Sequence, residues 1–182
     1  MLVLARVFAG LAATTIVALP VASAAVHGLP RGPGGRSRRQ TLSEHGTRML
    51  PIGAPLAKVR RLGFIGAVRA GCELASPRPY VAKLRLPLIG TATFDGGKPT
   101  SRLRSVSIQA GVITSRGVVL GLSKDFVLRR YPHARIRKSP RGAPIAYKAV
   151  VVRRDGKDRM WFLLDRRGLV KSFEIPRPQF CE

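Results

Sequence analysis

The sequence predicts an α+β fold: an antiparallel sheet with helices on one face, built as two tandem helix-plus-meander units. Three observations lead there. Two stretches have the same helix-start chemistry, strands of period two follow them, and a weak self-similarity recurs about 68 positions apart.

The first unit spans about residues 50–110. Its apolar opening, Leu50 to Gly53, runs into Pro55. Proline suits a first helical turn, because the N–H it lacks would have no helical partner there. Gly63 is the expected stop. Tyr80, Ala82, Leu84 and Leu86 then alternate with Val81, Lys83 and Arg85, as in a half-buried strand.

The second unit spans about residues 118–182. Ser123 follows Gly121 as the expected N-cap, and Asp125 stands where the helix dipole favours an anion. Phe126, Val127 and Tyr131 form an apolar stripe, and Pro132 ends the helix. Strands are expected over 145–154 and 160–165, around the hairpin signal Asp155-Gly156. A second turn at Asp165–Gly168 leads to a strand over 169–175, with Leu169, Phe173 and Ile175 on one face. Between the units Gly53 matches Gly121, Val59 matches Val127 and Arg61 matches Arg129. Residues 103–108 match 170–175 at nearly the same offset.

Residues 1–24 read as a cleavable secretory leader. Arg6 supplies the positive start, residues 7–20 are apolar, and Ala22-Ser23-Ala24 is a small-x-small cleavage site. An uncleaved N-terminal membrane anchor is the alternative, because residues 7–26 carry no charge and about 20 residues can span a bilayer. Gly10, Pro20 and the many alanines favour cleavage and a secreted, extracytoplasmic product. Residues 25–48, rich in Gly, Pro and Arg, are expected to be a disordered linker, which leaves 49–182 as one domain.

Export places Cys72 and Cys181 where disulfides persist. A bridge between them would close a loop of roughly 110 residues and contribute about 4–5 kcal/mol in the chain-entropy model. Two free thiols or an intermolecular bridge are the alternatives.

The charge is extreme: 33 Lys and Arg stand against 9 Asp and Glu, for a net +24. Such a field attracts polyanions. Arg outnumbers Lys 25 to 8, so GC-rich codon usage accounts for the excess as readily as a selected binding surface does. If a polyanion site exists, Arg129, Arg130, Arg135, Arg137 and Lys138 are its candidates, clustered at and beyond the end of the second helix. A helix C-terminus favours cations in any case.

Recognisable catalytic chemistry is missing from the sequence. His27, His45 and His133 have no metal-binding spacing, and no cofactor or metal is expected. Asp95, Asp155 and Asp165 occupy turns, where Asp is favoured for local hydrogen bonding. Ser123 lies outside any GxSxG context. Tyr147, Trp161, Phe162 and Phe173 could stack nucleobases beside Arg, but they lie on core-forming strands, so specific nucleic-acid binding is not expected. The expected function is a secreted, non-enzymatic binding module for a protein or an anionic envelope polymer. The alternative is a secreted hydrolase whose site the sequence does not display. A deep polar pocket joining His133 to an acid would favour the hydrolase, and a shallow basic face the binder.

One resemblance rests on the stretch 121–132, on Trp161 to Ile175 and on the near-terminal Cys181. With these the chain resembles a loose group of secreted actinobacterial proteins of uncharacterised function. The helix-then-meander unit looks like those of the beta-lactamase-inhibitor protein and of the SmpA/OmlA-type outer-membrane assembly lipoproteins. The resemblance covers about residues 50–182. It implies a repeated α+β unit and binding in preference to catalysis, and it assigns no active-site residue. The chain differs from the lipoproteins in lacking a lipid-attachment cysteine, and from the inhibitor in having two cysteines where a bridge in each repeat needs four.

Overall fold

A computed structural model describes residues 40–72, 78–139 and 146–178. The leader and most of the linker, residues 1–39, lie outside them, as does Cys181. The described chain is mostly antiparallel β-sheet with two short helices. In order it forms β1 (Gln40–Ser43), β2 (Gly46–Thr47), α1 (Leu56–Arg61), β3 (Ile65–Ala70), β4 (Tyr80–Leu84), β5 (Ile89–Phe94) and β6 (Leu103–Ala110). Then come β7 (Val112–Thr114), α2 (Lys124–Arg130), β8 (Arg135–Lys138), β9 (Lys148–Arg154), β10 (Lys157–Leu164) and β11 (Val170–Ile175).

Eight strands form one sheet in the order β3-β4-β5-β6-β11-β10-β9-β8. The first four run in chain order and the last four in reverse, so the last strand of each group meets the other in the middle. There β6 and β11 pair antiparallel through Val106 with Ile175, Ser107 with Glu174, and Ile108 with Phe173. The two groups also share a register. Thr93 pairs with Ser105 beside a shift at Phe94, and Leu163 pairs with Ser172 beside a shift at Leu164. A separate three-stranded sheet joins β1 to β2 antiparallel and to β7 parallel.

Helices of six and seven residues are too short to stand alone, so their first turns must be held from outside. Both are held in the same way. Gly53 N–H donates to Leu103 O (2.8 Å), Leu103 N–H to Ala54 O (2.8 Å) and Leu56 N–H to Ser101 O (2.7 Å). At α2, Gly121 N–H donates to Val170 O (2.8 Å), Val170 N–H to Leu122 O (2.9 Å) and Lys124 N–H to Gly168 O (2.9 Å). Carbonyls of the turn before the last strand thus satisfy first-turn N–H groups that lack a helical partner. Ser123 Oγ accepts from Phe126 N–H (3.3 Å), the expected cap, and Pro55 stands at the N-cap of α1.

Alternation along the strands makes two clusters. The larger joins Leu56 and Val59 of α1 and Val127 of α2 to sheet residues such as Ala92, Phe94, Ile108, Phe162 and Phe173. The Phe162 ring lies 5.2 Å from Tyr131 and 5.6 Å from Phe173, edge- or tilt-packed. The intervening residues of β9 and β10 build the smaller one from Ala149, Val151, Trp161 and Leu163.

Four expectations need correction. The linker does not run to Arg48: β1 begins at Gln40, with Leu42 fully buried, because its partner β7 lies far along the chain. The loop after α2 contains β8, an edge strand whose four residues are all exposed and therefore show no buried period. Val170, not Leu169, shares the core with Phe173 and Ile175, because the register shift changes the alternation. The described strands also form two sheets rather than one. The expected hairpin holds, with Asp155 and Gly156 both at positive φ (51° and 71°) between β9 and β10.

Gly90 of β5 lies against the β6 backbone. It has φ +145°, and a Cβ there would lie 1.9 Å from Ser107 O. Gly90→Ala should lower stability by about 3–4 kcal/mol, whereas Gly156→Ala, open to solvent, should cost about 1 kcal/mol. Denaturant midpoints of the two variants check this ordering.

Candidate functional site

Two concave regions among the described residues contain an acidic side chain. The larger, a groove of about 600 Å³, lies where the β1–β2 turn, the β7–α2 connection, the end of α2 and the β9–β10 hairpin converge. Its cationic walls are Arg116, Arg153 and Arg154, joined by His45 and His133; Glu44 is its one acid. Each arginine is oriented by a partner. Arg154 Nη1 is ion-paired to Glu44 Oε1, and that hydrogen bond holds the guanidinium pKa above its ordinary value. Arg153 Nε lies 3.2 Å from Asp158 Oδ1. Arg116 donates from Nη1 to Arg130 O (2.8 Å) and stacks 5.0 Å above the Tyr131 ring. Tyr131 Oη is buried without a hydrogen-bond partner.

The groove does join His133 to an acid, the arrangement that would favour a hydrolase. Glu44 and Ser43 of that groove are engaged in other contacts, however. Glu44 is paired with Arg154, and His45 Nε2 is 4.0 Å from Glu44 Oε1. Ser43 Oγ donates to Gly46 O (3.1 Å) and accepts from His45 N–H (3.2 Å), so it builds the turn. Among the described residues no cluster of His, Cys, Asp or Glu could hold a metal.

The second region is a cavity of about 220 Å³ on the sheet face that carries Leu163. Thr91, Thr93, Ser105, Ser107 and Glu174 line it, and Cys72, Pro79 and Pro178 form part of its wall. One cross-strand row runs Lys83, Thr91, Ser107, Glu174, Trp161, Val151 and Arg135. Glu174 stands mid-sheet, 6% exposed, the only charged residue buried among the described residues. Its Oε1 accepts from Ser107 Oγ (2.8 Å) and Ser172 Oγ (2.9 Å). Burial raises its pKa to about 6, against the opposing pull of the two hydroxyls and Lys171.

The five basic candidates do not form one patch. The guanidiniums of Arg129 and Arg130 lie over the Phe126 ring, at 5.7 and 5.2 Å. Arg135 and Arg137 pair with Val151 and Ala149, on the Trp161 side of the sheet. Lys138 pairs with Lys148 and, one residue on, lies on the other side. Arg137 is ion-paired with Asp158 (3.2 Å) and lies 5.5 Å from the Trp161 ring. His27 lies outside the described residues; Cys72 is not a free thiol, but its expected partner also lies outside them. Asp95 and Asp165 cap turns, accepting from Arg102 N–H (2.7 Å) and Leu169 N–H (2.8 Å).

Sequence reasoning missed the groove because Glu44 and His45 fell in the presumed linker. The Arg153-Arg154 pair was its one visible sign. Glu174 gave no signal as a site in the sequence, because its pairing with Ser107 joins strands 67 residues apart. No helix among the described residues is long and apolar enough to cross a membrane. Comparison with family models, curated proteins and solved structures finds no match to this chain, so the resemblance rests on its sequence motif alone.

Glu174 makes stability pH-dependent in a defined sense. Its folded pKa of about 6 exceeds the ordinary 4.5, so the folded state holds the proton more tightly. The contribution is fully present below about pH 4.5 and is lost as pH rises through about 6, a change of about 2 kcal/mol. Glu174→Gln should therefore gain stability relative to the parent at pH 7.5 and little at pH 4. Urea titrations at the two pH values measure the difference.

Proposed function

We propose that this chain is an exported, non-enzymatic binding protein whose basic groove holds an anionic cell-envelope polymer. The groove itself supports the reading most directly. Three arginines and two histidines face one carboxylate, in a chain of net charge +24. Guanidiniums already oriented by Glu44, Asp158 and Arg130 O keep spare N–H donors and lose little entropy on gripping phosphate or carboxylate oxygens. An acidic protein surface is the rival occupant of the same chemistry.

Export, in this reading, follows cleavage after Ala24, and a Cys72–Cys181 bridge ties the end of the chain to the sheet. The chain is one helix-plus-strands unit used twice, with both helices on the same face. The matching helix-docking bonds, the matching register shifts and the mirrored strand order support that duplication. Kinship with the inhibitor and lipoprotein units would then be one of architecture and binding.

A hydrolase is the second reading, favoured by the meeting of His133 and Glu44 in one groove. The commitment of Ser43 and Glu44 to a turn and an ion pair argues against it.

Polyphosphate binding, followed across a salt series, tests the proposal. Affinity should fall steeply with salt, as ions compete for each contact. Changing Arg116, Arg153 and Arg154 together to Gln should weaken binding roughly 10–100-fold. The charge-matched change of Arg60, Arg61 and Arg85 should cost less than about threefold. Equal losses would mean a diffuse field with no site, and turnover of ester or peptide substrates dependent on His133 would favour the hydrolase.

A further inference from the structure

We propose that the cavity over Glu174 is a binding site for an alkylammonium group, either of a free amine or at the end of a lysine side chain. Glu174 is buried mid-sheet and forms no ion pair among the described residues; both of its side-chain hydrogen bonds fall on Oε1, which leaves Oε2 available. The other acids of the described chain are differently placed. Glu44, Asp125 and Asp158 are paired with Arg154, Lys124 and the Arg137–Arg153 pair, Asp95 and Asp165 cap turns, and Asp155 stands in the β9–β10 turn. In so basic a chain, an internal counter-ion could have been placed against Glu174. A buried carboxylate without one is costly, and a ligand's cation in the adjoining cavity offsets part of that cost.

The cavity suits such a group in chemistry and size. An ammonium has three donors and no acceptor. Oε2 offers the charged acceptor, and the hydroxyls of Thr91, Thr93 and Ser105 offer neutral ones nearby. Val81 and Leu163 supply apolar wall for a short alkyl stem. Lys83 stands three strands from Glu174 along the row, about 14 Å by strand spacing. Lys171 is the cation that Glu174 senses, without forming an ion pair. These surrounding positive charges repel dilute cations in general, so retention depends on direct contact with the carboxylate. The site is separate from the basic groove and takes the opposite charge.

The test is an amide and side-chain carboxyl NMR titration of the full chain with n-butylammonium at pH 7.5 and constant ionic strength. Saturable shifts should be confined to Thr91, Thr93, Ser105, Ser107 and Glu174. The Glu174 carboxyl should titrate at lower pH when the amine is bound. Glu174→Gln should weaken binding at least roughly tenfold, and Glu174→Asp, which retracts the carboxylate, should weaken it less. A lysine tetrapeptide that binds more tightly than its Nε-acetyl form and than butylammonium identifies a side chain as the natural ligand. Equal affinity of peptide and amine identifies the free amine. The proposal is overturned if tetramethylammonium or sodium gives the same shifts, if a neutral methyl glucoside binds there equally well, or if Glu174→Gln binds butylammonium like the parent.

Discussion

The pairing of β6 with β11 is the contact on which the rest of this molecule depends. Without it the chain would present two four-stranded antiparallel groups, each with an unpaired edge, at β6 and at β11. With it, Val106, Ile108, Phe173 and Ile175 bring both groups into one core cluster. The edges move outward to β3 and β8, and the charged β8 is poorly suited to further strand pairing. The same pairing sets Ser107 beside Glu174, so a carboxylate that burial disfavours lies in the ladder that joins the groups. Two serine hydroxyls offset part of that burial cost on one oxygen and leave the other open.

Around this centre the arginines divide by what holds them. Arg129 and Arg130 cover an aromatic ring at a helix end, where the dipole favours them. Arg137 shields Trp161 while pairing with Asp158. These are structural uses of a basic composition. Arg116, Arg153 and Arg154 differ because two segments far apart in sequence bring them to one concavity with a single acid. Convergence of distant residues distinguishes a site from a charged surface, and it is the reason the groove, not the helix end, carries the proposed function.

Local chemistry was legible in the sequence, and long-range pairing was not. Ser123, the Asp155-Gly156 turn and the β4 alternation each act within a few residues, and each is found where expected, except that the alternation stops at Leu84 and leaves Leu86 exposed. The strand β1 was not legible, because one buried leucine has no period and its partner lies some 70 residues away. Nor was β8, whose exposed residues carry only the outer edge of the sheet. The groove draws on segments near residues 44, 116, 132 and 153, so adjacency in sequence could not reveal it. Glu174 was half legible. Its sequence neighbours mark a strand, while its pairing with Ser107 and its burial depend on how the two groups of strands meet.

Whether the junction does bind both groups into one unit is open to direct measurement by native-state hydrogen exchange in low denaturant. Amides of β4 and β5 on one side and of β9 and β10 on the other should converge on a single unfolding free energy, and the slowest amides of β6 and β11 should share it. Two separate plateaus, with β9 and β10 opening while β4 and β5 stay protected, would contradict the account.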